Sequence, residues 1–125
     1  MTTKSRVAGT FMGLAVGDAL GSPLEKCEPG SFEFVSEMSS GGLYDLPPGA
    51  WTDETATALC LAQSLLVTHE LNVYDLVERF KRWVESGENS STGVCIGIEQ
   101  SLLRFVGNFE RTQTIESSVV NQKAT

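Results

Sequence analysis

Four stretches of the chain place apolar residues three or four positions apart, the spacing that lines one side of an α-helix. No segment alternates apolar and polar residues in the pattern of a β-strand, and no long internal repeat is present. The pattern predicts an all-α protein, an orthogonal helical bundle in a single domain. The predicted helices cover residues 7–20, 53–67, 73–84 and 99–105.

Local signals set the boundaries of the two central helices. The Pro-Pro-Gly segment at residues 47–49 favours a turn, so Thr52 takes the N-cap position of a helix that ends between residues 68 and 70. Asn72 caps the next helix and Gly87 stops it. Proline, glycine and serine residues predict a long irregular connection over residues 26–48. Phe80 and Trp83 are predicted core residues.

The N-terminal stretch admits two interpretations. Basic residues within positions 4–6 followed by the mostly apolar residues 7–16 resemble the start of a secretory signal. Glycine at every fourth position from Gly9 to Gly21 favours instead a helix that another helix approaches closely. Asp18 interrupts the apolar run, which we expect to be too short and too broken to span a bilayer.

The composition is that of an acidic globular domain, with 41% hydrophobic residues, 20% charged residues and a formal net charge of -7. This charge and the scattered basic residues argue against nucleic-acid binding, and Arg79, Lys81 and Arg82 are predicted to lie on a solvated helix face. Three cysteines give an odd count without a Cys-x-x-Cys pair, which favours free thiols in the cytoplasm. They are Cys27, Cys60 and Cys95.

Thr52, Asp53 and Glu54 bring one hydroxyl and two carboxylates to the start of the second helix. Oxygen donors of this kind suit hard divalent cations. An ordinary helix also begins with threonine followed by acidic residues, so a plain cap is the alternative interpretation.

Three sequence motifs resemble the ADP-ribosylglycohydrolase family. Residues 49–64, GAWTDETATALCLAQS, are similar to its first metal-binding motif, in which aspartate usually stands where this chain has Glu54. Residues 7–25, VAGTFMGLAVGDALGSPLE, resemble its opening helix with the glutamate that follows it. Residues 91–98, STGVCIGI, resemble its glycine-rich loop, in which some members have aspartate at the position of Gly97.

The resemblance implies a hydrolase that removes ADP-ribose from a modified protein side chain or small molecule, by cleaving the N- or O-glycosidic bond at the distal ribose. It further implies two Mg²⁺ or Mn²⁺ ions as cofactors, an ADP-ribosylated protein or an ADP-ribose-containing small molecule as partner, and no nucleic acid or membrane. The implied site residues are Glu25 as acid/base, Thr52, Asp53 and Glu54 as metal ligands, and Gly93, Cys95 and Gly97 beside the substrate.

Members of the family are usually much longer than this chain, and their second metal motif, Asp-x-Asp-Thr, has no counterpart here. We therefore expect residues 1–109 to form the N-terminal part of the family's domain and residues 110–125 to form a polar loop or disordered tail. One bound ion, or none, is an alternative to two. The alternative functions are a truncated, catalytically inactive helical domain that acts in partner binding, and an acidic interaction module unrelated to ADP-ribose.

Overall fold

The computed structural model describes residues 1–115, and within this range it is helical. Helix α1 spans Thr3–Gly21 and continues into a 3₁₀ turn, Ser22–Leu24. Helices α2, α3 and α4 span Asp53–Thr68, Val73–Ser86 and Gln100–Thr112. No β-strand occurs among the described residues, so the all-α prediction is confirmed.

Helix α2 occupies the middle of the fold, where it packs against α1 and against α3, and α3 in turn packs against α4. The centre of the core lies between α2 and α3, where Ala56, Cys60 and Trp83 are buried. Trp83 has no exposed surface and Phe80 packs against this cluster, as predicted. The start of α2 is thereby held on a well-packed element.

The connection between the 3₁₀ turn and α2 is irregular, as predicted, and folds back on the helices. Gly41 and Leu46 form an isolated antiparallel bridge with hydrogen bonds of 2.8 and 3.0 Å, and Leu46 is buried. Gly42 lies against Pro23, where a Cβ would come within 2.6 Å of Pro23 Cα, and its φ of 80° favours glycine. This packing fixes the path of the chain towards Thr52.

The boundaries of α2 and α3 agree closely with the predicted ones. Asn72 accepts a hydrogen bond from the amide of Asp75, and Gly87 ends α3 in the left-handed conformation. Helix α4 extends beyond the predicted end at residue 105 because Val106 and Phe109 are buried on its inner face. The start of the predicted polar tail, residues 110–112, is therefore helical.

The rest of that tail, from residue 116 onward, lies outside the described residues.

Helix α1 departs from the prediction in its packing and its length. Ala19 is its buried residue, and a Cβ built at any glycine from Gly9 to Gly21 meets no other atom within 4 Å in the described part of the chain. The predicted close approach of another helix is therefore not present. Thr3–Leu24 is long and apolar enough to cross a membrane, contrary to our expectation, because the helix begins earlier than the apolar run. The core helix of a soluble protein or a signal sequence near the N-terminus can meet the same criteria of length and composition.

Candidate active site

Asp18 of α1 provides the N-terminal cap of α2. Its Oδ2 atom accepts hydrogen bonds from the Thr52 amide at 2.9 Å, the Thr55 amide at 3.2 Å and the Thr55 hydroxyl at 2.7 Å. Thr52 occupies the predicted N-cap position, but its side chain makes no capping hydrogen bond. The Thr52 side chain therefore does not cap α2, because a carboxylate from another helix accepts from the amides of Thr52 and Thr55.

The Thr52 hydroxyl instead lies between two carboxylates. Thr52 Oγ1 is 2.7 Å from Asp18 Oδ1 and 2.8 Å from Glu54 Oε2. Thr52 is 4% exposed, whereas Glu54 is exposed to solvent. These three side chains share one space at the helix start, with a buried hydroxyl on the inside and a carboxylate at the surface.

Asp53 adds a further negative charge to this space. The pKa of Asp53 is raised from its ordinary value of 3.8 to about 6, first by burial and then by the charge of Glu54, a hydrogen bond with the Glu54 carboxyl and the charge of Asp18. The ion pairs among residues 1–115 involve none of these acids. The start of α2 is therefore a concentration of negative charge that forms no ion pair within residues 1–115.

Glu25 and the acidic helix start open into one cleft of about 510 Å³. Glu25 follows the 3₁₀ turn and is exposed. Thr52 and Glu54 line the cleft with it, and glycines of α1 form the adjoining wall because they leave space where side chains would stand. These glycines are Gly13, Gly17 and Gly21.

The glycine-rich loop approaches the same carboxylates. A Cβ built at Gly97 would lie 2.5 Å from Asp53 Oδ1, so the loop backbone contacts the Asp53 side chain. Burial raises the pKa of Cys95, and the charge of Asp53 adds to this effect. The carbonyl of Gly93 lies against Gly87 so closely that a Cβ at Gly87 would clash with it.

A network of polar contacts holds the loop against α2 and the turn before it. The side-chain amides of Asn89 and Gln63 pair through hydrogen bonds of 3.0 and 3.2 Å. The Asn89 carbonyl accepts a hydrogen bond from Trp51 Nε1 at 3.0 Å, and Ser91 donates to the Trp51 carbonyl at 2.8 Å. Trp51 thus ties the first motif to the loop.

Tyr44 is a site residue that the sequence analysis missed. Burial raises its pKa, and the charges of Glu25, Asp53 and Glu54 raise it further. Its hydroxyl would lie 3.5 Å from a Cβ at Gly97. No spacing rule identifies a single tyrosine within an irregular connection.

Asp18 was also missed, although a signal for it exists. It is the acidic residue that interrupts the apolar run of α1, and an acid on such a face requires a hydrogen-bonding partner when it is buried.

The oxygen donors of Thr52, Asp53 and Glu54 at the start of α2 are compatible with part of a metal site. Two carboxylates and a hydroxyl offer oxygen atoms to a hard cation, and the raised pKa of Asp53 shows that added positive charge would stabilise the group. Within residues 1–115, no three His, Cys, Asp or Glu side chains are arranged to hold an ion by themselves. Thr52, Asp53 and Glu54 therefore provide a partial set of ligands.

The sequence profile of the ADP-ribosylglycohydrolase family matches residues 1–124. The chain belongs to the ADP-ribosylglycohydrolase family. The end of α1 and the start of α2 meet in the cleft of this family member. They belong to two of the sequence motifs, residues 7–25 and residues 49–64.

Individual relatives agree with this assignment. The chain is 43% identical to ADP-ribosylarginine hydrolase Tri1 of Serratia proteamaculans (strain 568) over 93 residues, 74% of this chain and 25% of that protein. It is 40% identical to ADP-ribosyl-[dinitrogen reductase] glycohydrolase of Rhodospirillum rubrum over 85 residues, 65% of this chain and 29% of that protein.

A solved structure described as an ADP-ribosylglycohydrolase-related protein complex is similar, with a TM-score of 0.70 and 38% sequence identity. The match covers 87% of this chain and 34% of that one. The chain of this family member thus spans about a quarter of the length of the curated relatives named above.

Proposed function

We propose that this chain carries the acid/base residue and the first metal motif of an ADP-ribosyl hydrolase. The substrate would be a protein side chain or small molecule that bears ADP-ribose through an N- or O-glycosidic bond at the distal ribose. One observation carries the proposal: Glu25, Thr52 and Glu54 line a single cleft, although Glu25 is distant from the other two in the sequence.

Cleavage of a glycosidic bond develops positive charge on the sugar ring and negative charge on the leaving group. The cleft supplies matching groups, because its acidic residues favour the positive ribose and Glu25 is exposed towards the space that a substrate would fill. As general acid or base, Glu25 would give a proton to the leaving atom or take one from the attacking water.

Thr52, Asp53 and Glu54 are the residues that would hold a divalent cation, Mg²⁺ or Mn²⁺, in this site. Such an ion supplies Lewis-acid stabilisation and orients oxygen atoms of the substrate. The chain's own contribution is to hold the oxygen donors together, through the 2.8 Å contact between Thr52 and Glu54 and the contact of Asp53 with the Gly97 backbone.

Glu54 in place of the family's usual aspartate keeps the charge and adds a methylene. The longer side chain folds back to the Thr52 hydroxyl. Because Mg²⁺ requires a stricter geometry than larger cations, we propose that this site favours Mn²⁺ and holds one ion rather than two.

The glycine-rich loop would lie beside the substrate at Gly97, whose backbone contacts Asp53, and at the backbone of Cys95, whose side chain packs against the core of Ala56, Cys60 and Trp83. Gly93 would also anchor the loop to the end of α3, because its carbonyl packs against Gly87. A loop held at both ends presents a fixed backbone to a ligand.

The second candidate is a catalytically inactive domain that acts in partner binding. It is favoured by the exposure of α1, on which Val7, Met12 and Val16 are 53%, 64% and 48% exposed. An apolar surface of this kind commonly marks a binding region.

Calorimetric titration separates the two candidates. The chain is titrated with Mn²⁺ alone and then, in the presence of Mn²⁺, with ADP-ribose. We expect Mn²⁺ binding that is lost in Asp53→Ala, and ADP-ribose binding that requires Mn²⁺. Flat titrations at millimolar ligand would rule out the hydrolase site in this chain and favour the inactive domain.

A further inference from the structure

The Thr52 hydroxyl has one hydrogen and two carboxylate neighbours at nearly equal distances, 2.7 Å to Asp18 and 2.8 Å to Glu54. It can donate to one of them at a time. A hydroxyl that binds a cation does so through an oxygen lone pair, so its hydrogen must point away from the cation. An acceptor that is held apart from the cation therefore favours Thr52 as a ligand, because it takes the hydroxyl hydrogen and leaves Glu54 free to turn towards the ion.

We propose that Asp18 is a positioning residue, which holds the Thr52 hydroxyl proton and thereby leaves the Thr52 oxygen free to bind a cation together with Glu54. This inference depends on the proposed function, since it concerns the same cation. Asp18 itself is not one of the metal ligands in this proposal.

Asp18 is the better fixed of the two acceptors. Its Oδ2 atom is held by the amides of Thr52 and Thr55 and by the Thr55 hydroxyl, so the carboxylate cannot turn away from Thr52. Glu54 is exposed, and its longer side chain can move towards a cation. Groups that orient a metal ligand in this way typically change affinity strongly when they are replaced.

The Asp18 contacts also position the three proposed metal ligands, Thr52, Asp53 and Glu54, together. The same carboxylate that accepts the Thr52 hydroxyl caps the first turn of α2, where Asp53 and Glu54 lie. The end of α1 and the start of α2 are thereby joined at one side chain.

The test is the Asp18→Asn variant, with Mn²⁺ alone as the probe and electron paramagnetic resonance of free Mn²⁺ as the readout. Asparagine keeps an acceptor oxygen for the two amides but presents an NH₂ group to Thr52. The Thr52 hydroxyl must then accept from residue 18 and donate to Glu54. We expect Mn²⁺ affinity to fall roughly 10- to 100-fold while the helical content in circular dichroism is unchanged.

Thr55→Val is the matched control. It removes one of the three hydrogen bonds to Asp18 Oδ2 but leaves the two amide bonds and the contact of Asp18 Oδ1 with the Thr52 hydroxyl, so Mn²⁺ affinity should fall much less than in Asp18→Asn. Thr52→Val removes the hydroxyl itself. Because Asp18 acts through that hydroxyl, Asp18→Asn should cause no further loss in the Thr52→Val background.

The outcomes are distinct. Failure of the parent to bind Mn²⁺ overturns the proposed metal function, and this inference with it. Parent-like affinity in a folded Asp18→Asn variant, or additive losses in the double variant, overturns the inference alone.

A measurement on the unmodified protein covers the case in which Asp18→Asn does not fold. In proton NMR with Mg²⁺ added, the Thr52 hydroxyl proton should show a coupling across a hydrogen bond to the Asp18 carboxyl carbon. A coupling to Glu54 instead would contradict the proposal.

Discussion

The backbone of Gly97 packs directly on the carboxylate of Asp53, so that a Cβ at position 97 would lie 2.5 Å from Asp53 Oδ1. The two residues come from the glycine-rich loop and from the first turn of α2. Their contact makes the loop one wall of the acidic site. It also explains why the loop position nearest to this carboxylate carries no side chain.

Gly97→Ala should displace Asp53 and weaken Mn²⁺ binding. Gly93→Ala is the matched control, because Gly93 has almost the same φ, 79° against 77°, but no atom within 4 Å of its Cβ position. Both variants carry the backbone strain of alanine at positive φ, about 1 kcal/mol, and we expect Gly97→Ala to cost more. Thermal unfolding and Mn²⁺ titration measure the difference, and equal behaviour of the two variants would show that the Asp53 contact is unimportant.

Much of the fold could be predicted from local signals, because Asn72 and Gly87 determine the ends of α3 through their own backbone contacts. The extent of α4 could not, since it depends on burial of Val106 and Phe109 against other helices. Of the site, the sequence motif marks Thr52. The cap that Asp18 supplies is a contact across 34 positions, which no local pattern encodes.

Asp53→Asn should stabilise the metal-free protein at pH 7. The crowding with Glu54 and Asp18 disfavours the charged form of Asp53, and asparagine removes that charge at nearly constant volume. We expect a gain of about 0.5 to 1 kcal/mol in the free energy of unfolding, measured by urea denaturation with chelator present. Glu85→Gln, on the exposed surface of α3, is the control and should change stability little. A clear loss of stability in Asp53→Asn would contradict a repulsive site.

The pH dependence of stability should carry the signature of Asp53. Because the folded-state pKa, about 6, lies above the ordinary value of 3.8, the folded protein binds more protons than the unfolded chain between these values. The contribution of Asp53 is therefore fully present below about pH 4 and is lost as the pH rises through about 6.

This loss should amount to about 1 kcal/mol, since water reaches much of the side chain and screens it. The loss is obtained as the difference in the free energy of unfolding between the parent and Asp53→Asn, measured in chelator-containing buffers across this pH range. A difference that stays constant with pH would show that the Asp53 pKa is not raised.

The amide pair of Asn89 and Gln63 should hold the glycine-rich loop in place. Asn89→Gly keeps the left-handed backbone, φ 69°, and the carbonyl that accepts from Trp51, so it removes the amide pair and the weak hydrogen bond from Asn89 Nδ2 to Cys60 Sγ. We expect a loss of about 1 to 2 kcal/mol, with faster amide hydrogen exchange at Ser91 and Cys95. Gln63→Ala should add little to Asn89→Gly, because both remove the same interaction. Fully additive losses would indicate that the two side chains act independently.

Mn²⁺ should stabilise the protein, and most strongly above pH 6. A cation that binds the folded state alone raises the free energy of unfolding by about 2.7 kcal/mol at a concentration 100 times its dissociation constant. Protons compete with it for Asp53, so the increase in melting temperature should shrink as the pH falls from 7 to 5. Differential scanning fluorimetry measures this increase in melting temperature. Glu85→Gln should keep the increase, and Asp53→Asn should lose it. An increase that is equal in both variants would place the ion elsewhere on this acidic surface and would remove the first metal motif from the mechanism.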